Sequence, residues 1–209
     1  MDTVDLKEEK HLNLLLADFR ALLDTPDVNE QKMLNFLNGK HAYFIVASIL
    51  GSYYSFGHHQ AFLFREFPLG TSYRVDYFLA GKSSGGWSFV FVELESPNHN
   101  ITLANGELGS SFRKGLNQVA DWDSWLDANF SSLRETFGKC KNPKVSLPSE
   151  FVVLDKSRVH YVVVAGRRTD FQDKTYSTRR KKLRDSSELL LHYDNMVDAA
   201  QDIIRGKTY

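Results

Sequence analysis

The run WSFVFVELESPN (87–98) constrains the fold more than any other stretch of the chain. Its aromatic and β-branched residues from Phe89 to Val92 suit a strand inside a sheet, with both faces covered. The same run then ends in Glu93 and Glu95. Side chains alternate along a strand, so these two carboxylates point the same way. At neutral pH they repel each other unless a cation, a proton or a basic neighbour intervenes. A solvent-facing edge is one setting that tolerates such a pair, and a metal site is the other.

The surroundings supply a scaffold. Leu12, Leu15, Leu16, Phe19, Leu22 and Leu23 recur at helical spacing, which predicts an amphipathic helix ending before Thr25 and Pro26. A second helix is expected to open at Asp27, with Glu30 three residues later completing a capping box, and to stop at Gly39. HAYFIVASIL (41–50) is too apolar throughout to classify by period. QAFLFREFPL (60–69), YRVDYFLAG (73–81) and WSFVFVELE (87–95) are strand candidates separated by Gly and Ser clusters that suit tight turns. A long helix is expected over 109–137, because Phe112, Leu116, Val119, Trp122, Leu126, Phe130 and Leu133 share one stripe. VHYVVVAG (159–166) reads as a buried strand. RRKKLRDSSELLLHY (179–193) mixes a helix with a short strand, and Asp194 is expected to cap a last helix through Ile204. GKCKNPKVSLPSE (138–150) is the least patterned segment and is taken as a surface excursion. The order α, α, β, β, β, α, β, α, α defines a mixed α/β or α+β layer fold, a central sheet flanked by helices.

With 209 residues and 42% hydrophobic content the chain suits a single domain over 1–209, its first 26 residues a helical extension and 27–209 the core. A formal net charge of +0 leaves no bulk field to attract a polyanion, so nucleic-acid affinity has to come from local basic patches. Cys140, the single cysteine, excludes an intramolecular disulfide and a cysteine-based zinc cluster, and a reducing compartment fits. The N-terminus has no apolar signal-like region and no apolar segment reaches the length of a membrane span, so a soluble, cytoplasmic protein with no membrane partner is expected.

If YRVDYFLAG and WSFVFVELE pair as a hairpin, Asp76 comes near Glu93 and Glu95, a three-carboxylate cluster on adjacent strands. Hard divalent cations are held by one or two carboxylates with waters and a phosphate oxygen, and they promote phosphodiester cleavage. At these residues RVDYFLAG, VELESPN and FRKGLNQVADW resemble the Shedu family, whose effector domain belongs to the PD-(D/E)XK nuclease superfamily. The likeness extends from about Asn29 onward through NEQKMLNFLNG, VVVAGRR and LLLHYDNMVDAAQDII. It implies a restriction-endonuclease-like core and a Mg²⁺-dependent DNA endonuclease or nickase in defence against phage, with Mn²⁺ as a substitute. By the same resemblance Asp76 and Glu93 hold the metal together with the backbone carbonyl of Leu94. Gln118 bonds near the metal or the scissile phosphate, and Glu30 stands where a helix acid sometimes completes the site. Glu95 occupies the place where the superfamily usually has lysine, and as a glutamate it serves as general base or further ligand. Lys114, one helical turn before Gln118, is placed to replace that lysine.

Other residues have readings that need no functional site. Glu30 is explained by helix capping without a metal, and Lys114 by solvation. His58 and His59, adjacent on a strand, point apart and suit a turn better than zinc. Cys140 lacks a His and acid partner and is taken as inert. Trp122, Trp125 and Phe112 belong to the helix stripe and the core. Arg113, Lys114, Arg167, Arg168, Arg179 and Arg180 are candidate contacts to the DNA backbone. For the RRKKLR cluster, basic charge near a helix start opposes the helix dipole and favours a functional reason. Two alternatives to an active nuclease stay open. One is a catalytically inactive relative that binds nucleic acid or protein; the other is a structural domain whose HAYFIVASILGSYYSF segment (41–56) forms a self-association face in a homo-oligomer.

Overall fold

The computed structural model describes residues 8–98 and 101–206. All three hairpin strands form where their aromatic and β-branched runs predict. β1 (Gln60–Leu69), β2 (Tyr73–Ser83) and β3 (Gly86–Leu94) make an antiparallel meander. β4 (Val159–Val164) and β5 (Glu188–Leu191) are then added parallel to β3, giving one five-stranded mixed sheet in the order β1-β2-β3-β4-β5. Parallel neighbours need crossover connections. Two helices, α4 (Ser110–Asn129) and α5 (Leu133–Cys140), lie between β3 and β4, and α6 (Asp173–Ser186) lies between β4 and β5.

Both faces of the sheet are covered, which is why its central strands read as continuous apolar runs. On one face Tyr77, Leu79, Val90, Val92, Val162 and Leu191 pack against α1 (Glu9–Leu23), α2 (Glu30–Gly39), α3 (Phe44–Tyr53) and α7 (Tyr193–Gly206). On the other, Phe78, Phe89, Phe91 and Val163 meet Phe112, Val119 and Trp122 of α4 and Phe137 of α5. Each large side chain buried in this way contributes about 1.5–3 kcal/mol. α1, expected as an extension, is packed into the first of these clusters through Leu12, Leu16, Phe19 and Leu23. Among the described residues no helix is long and apolar enough to cross a membrane.

Five expectations are corrected. α2 opens at Glu30, because Asn29 is the capping residue: its Oδ1 accepts the Lys32 amide at 3.0 Å, while Asp27 pairs with the Lys32 ammonium. The helix expected over 109–137 breaks at a 3-10 turn, Phe130–Ser132. There Asn129 donates to the Trp125 carbonyl at 3.0 Å and Ser132 to the Asn129 carbonyl at 2.7 Å, local side-chain bonds that compete with the helical ladder. The apolar stripe runs on through the break, so periodicity alone conceals it. The 41–56 segment is not a self-association face: Tyr43, Phe44, Ile45, Val46, Ile49 and Leu50 are all buried in the core. α7 begins at Tyr193, and His192 and Asn195 exchange the bonds of its cap: the His192 amide donates to Asn195 Oδ1 and the Asn195 amide to His192 Nδ1, both at 3.1 Å. Asp194 is turned toward Arg167 instead. Finally, Arg179 to Arg184 occupy the C-terminal half of α6, where positive charge favours the helix dipole. Their charge therefore needs no functional explanation on that ground.

Candidate active site

The register of β2 on β3, with Tyr77 opposite Val92, carries Asp76 to the position opposite Glu93. Both project to the face covered by α4, as does Glu95. Glu93 is 3% exposed and Glu95 2% exposed, so neither belongs to a solvated edge. The Leu94 amide donates to Asp76 Oδ2 at 2.8 Å, tying the first acid to the backbone between the other two. Past the end of β3 the chain keeps to β4: the Glu95 amide donates to the Val164 carbonyl at 2.8 Å and the Gly166 amide to the Ser96 carbonyl at 3.1 Å. The buried Tyr193 hydroxyl donates to the Glu95 carbonyl at 2.8 Å. Asn98 ends the segment by donating to the carbonyls of Pro26 at 3.2 Å and Val28 at 3.1 Å.

Lys114, on the second turn of α4, places its ammonium 2.9 Å from Glu95 Oε2 and 3.0 Å from Glu30 Oε2. Three separate elements thus converge on one positive charge. Gly115 makes the approach possible: a Cβ there would lie 2.5 Å from Val163 Cγ1 and 3.3 Å from Glu95 Cγ. Glu95 Oε1 is buried with no hydrogen-bond partner among the described residues, and so is Oε1 of Gln118, one turn further along α4. Such orphaned oxygens are costly and mark a place for a donor or a cation.

Electrostatics follow from this crowding. Burial and the charges of Asp76 and Glu95 raise the Glu93 carboxyl far above the usual carboxylate range. Burial raises Asp76 as well, opposed by the Leu94 amide and reinforced by Glu30 and Glu66. Glu95 is pushed up to about 7 by burial, against the pull of Lys114. Burial works against the Lys114 charge too, but its bonds to Glu95 and Glu30 outweigh that and raise it. Glu66, which enters here unannounced by the sequence, holds the left-handed conformation at φ +46° within β1, beside the position of Asp76. Residues other than Gly and Asn rarely adopt it.

The remaining candidates separate into free and engaged side chains. Arg113 is exposed on α4 next to Lys114 and makes no ion pair among the described residues. Arg179 lies 5.7 Å from the centre of the Tyr53 ring, and Arg180 is exposed. Arg167 is not a free phosphate ligand. Its guanidinium binds Asp194 at 2.9 Å, the Leu23 carbonyl at 2.9 Å and Asp24 at 3.0 Å, while Arg168 pairs with Asp198. His58 and His59 do not point apart, since their rings meet 4.5 Å centre to centre in the bend before β1. Cys140 is exposed and unpaired. Asn98 and Tyr193 escaped the sequence: Asn98 stands in VELESPN as an ordinary turn residue, and Tyr193 as one more apolar position before a helix.

Asp76, Glu93 and Glu95 share a face but do not close into a ready three-ligand group; among the described residues no three His, Cys, Asp or Glu side chains do. Asp76 is turned to the Leu94 amide and Glu95 to Lys114. The donor set still fits a hard divalent cation that keeps most of its waters, since that ion asks for only one or two carboxylates. Buried acids with raised proton affinity and an unpartnered carboxylate oxygen are what such an ion would relieve.

A helix, three antiparallel strands, a helix and a parallel strand, with acids gathered where the second and third strands meet, define a mixed α+β fold in which helices cover both faces of one five-stranded sheet. The family model described as Shedu protein SduA, C-terminal, matches residues 27–197, and the chain belongs to that family. Among solved structures, one similar fold is the structure of restriction endonuclease FokI bound to DNA, with 12% identity and a TM-score of 0.44. The similarity covers 100% of this chain and 32% of that one, so the chain spans about a third of its length. No curated protein matches the chain.

Proposed function

We propose that the protein is a divalent-metal-dependent DNA endonuclease or nickase of the Shedu type, acting in defence against phage. The observation that supports it most is the Lys114 ammonium held against Glu95, just past the end of β3, where the buried Glu93 of β3 lies opposite Asp76 of β2. Asp76 and Glu93, with the Leu94 carbonyl, would hold Mg²⁺, or Mn²⁺ in its place. When bound, the ion would supply stabilisation of the charge that develops at the phosphodiester. The chain's own groups do the rest. Glu95, with a carboxyl near neutrality, accepts the proton of the attacking water. Lys114 provides, from α4, the positive charge that β3 lacks at Glu95, which argues against the inactive-relative alternative. The Gln118 amide bonds the scissile phosphate, and Glu30 holds Lys114 in place from α2. Arg113 contacts the DNA backbone beside the site, with Arg179 and Arg180 as further phosphate contacts.

Purified protein incubated with supercoiled, linear and single-stranded DNA in Mg²⁺ or Mn²⁺ tests this. Asp76→Ala is expected to abolish nicking, and Lys114→Met to slow it by about 10²–10⁴-fold, the usual contribution of a proton-transfer or charge-stabilising group. Wild-type protein that cuts none of these forms at any metal concentration overturns the proposal.

A further inference from the structure

The end of the sheet opposite the acids carries a second, chemically different cavity. Lys82 pairs with Trp87 across the β2–β3 turn, six residues along β2 from Asp76 and therefore about 20 Å away. Here a cavity of about 440 Å³ opens between the sheet, the end of α5 and the 141–151 loop, a volume within the range of small-molecule pockets. Its floor is flat and aromatic: Phe62 of β1 stacks on Trp87 with ring centres 5.4 Å apart and 15° between planes. Phe151 stands edge-on to Trp87 at 5.1 Å, and Phe137 closes the wall.

The rim is positive. Lys82 forms no ion pair among the described residues, and the Lys141 ammonium bonds only the carbonyls of Asn142 at 3.2 Å and Pro143 at 3.4 Å. Among the described residues no carboxylate lines the cavity. An apolar floor is thus joined to two positive charges without a counter-charge. We propose that this cavity is a ligand site, separate from the acids, for a small molecule with a flat apolar or aromatic body and one anionic head group. The body lies against Phe62 and Trp87, and the head group pairs with Lys82 and Lys141. Ammonium groups that have no carboxylate partner gain an anionic one, and the aromatic surface loses its contact with solvent.

The cavity contains its own reporter, since Cys140 lines it and is the only cysteine in the chain. The probe is 8-anilino-1-naphthalenesulfonate, with the uncharged N-phenyl-1-naphthylamine as its control. The anionic probe is expected to slow labelling of Cys140 by a maleimide and to accept excitation from Trp87. It should also bind about tenfold more tightly than the neutral control, the difference a charge-assisted bond makes. The double variant Lys82→Gln/Lys141→Gln should bring the two probes to equal affinity while still protecting Cys140. Val145→Glu, at an exposed position on the loop, should weaken the anionic probe alone. Unchanged labelling of Cys140 with the probe present, or equal affinity of the two probes for the wild type, overturns the proposal.

Discussion

Lys114 carries its charge between two acids that lie 84 and 19 residues away in the chain, and it opposes the effect of burial on the acids of the site. Asp76, Glu93 and Glu95 all bind their protons more tightly in the folded protein than in an unfolded chain, because burial and mutual repulsion disfavour their charges. Between the ordinary carboxylate range and these raised values the folded state therefore holds more protons than the unfolded one. Metal-free stability from this source is greatest at low pH and falls as pH rises through that window. Replacing Glu93 with glutamine removes the most strongly raised of the three. In thermal melts with a chelator present, the gain in Tm of Glu93→Gln over wild type should grow between about pH 5 and about pH 8. A gain independent of pH would mean that Glu93 is not held protonated. At this scale the sequence disclosed the acids, since strand alternation alone predicts their common face. The partners of Lys114 were hidden, because only tertiary packing brings α2, α4 and the end of β3 together.

Single elements owe their positions to a few close approaches. α4 reaches β4 only because Gly115 has no side chain, and the same gap leaves room for the Glu95 methylenes. Gly115→Ala should cost about 1–3 kcal/mol, as overpacking does, and should push Glu95 away from Lys114. Denaturant unfolding measures the first effect and the pH profile of cleavage the second. A variant as stable and active as wild type would show that α4 shifts freely. The three hairpin strands were legible because they are aromatic and β-branched runs separated by clusters of glycine and serine. α3 was not, since a helix apolar on nearly every side has no period to detect. The edges of the sheet are also managed element by element. α6 covers β5, and β1 exposes Arg65, Glu66 and Pro68, residues that discourage pairing with another chain.

Across the whole molecule, Arg167 joins parts of the chain that the sequence keeps far apart. Its guanidinium binds the end of α1 through Leu23 and Asp24 and the start of α7 through Asp194, just beyond the end of β4. From the sequence alone the residue suits a phosphate contact equally well, since the alternatives differ only in where the acids fall in space. Arg167→Met should lower stability by about 1.5–3 kcal/mol, the worth of charged hydrogen bonds lost from a half-buried site. The salt dependence of DNA affinity should not change, whereas loss of a phosphate contact would reduce its slope by about one unit. Asn98 adds a second tie, from the segment after Glu95 to the connector between α1 and α2. With both ties in place the chain between α1 and α2 is held from one side by the Arg167 guanidinium and from the other by the Asn98 amide, so the first helix cannot leave the sheet without stranding donors that sit beside the segment following Glu95.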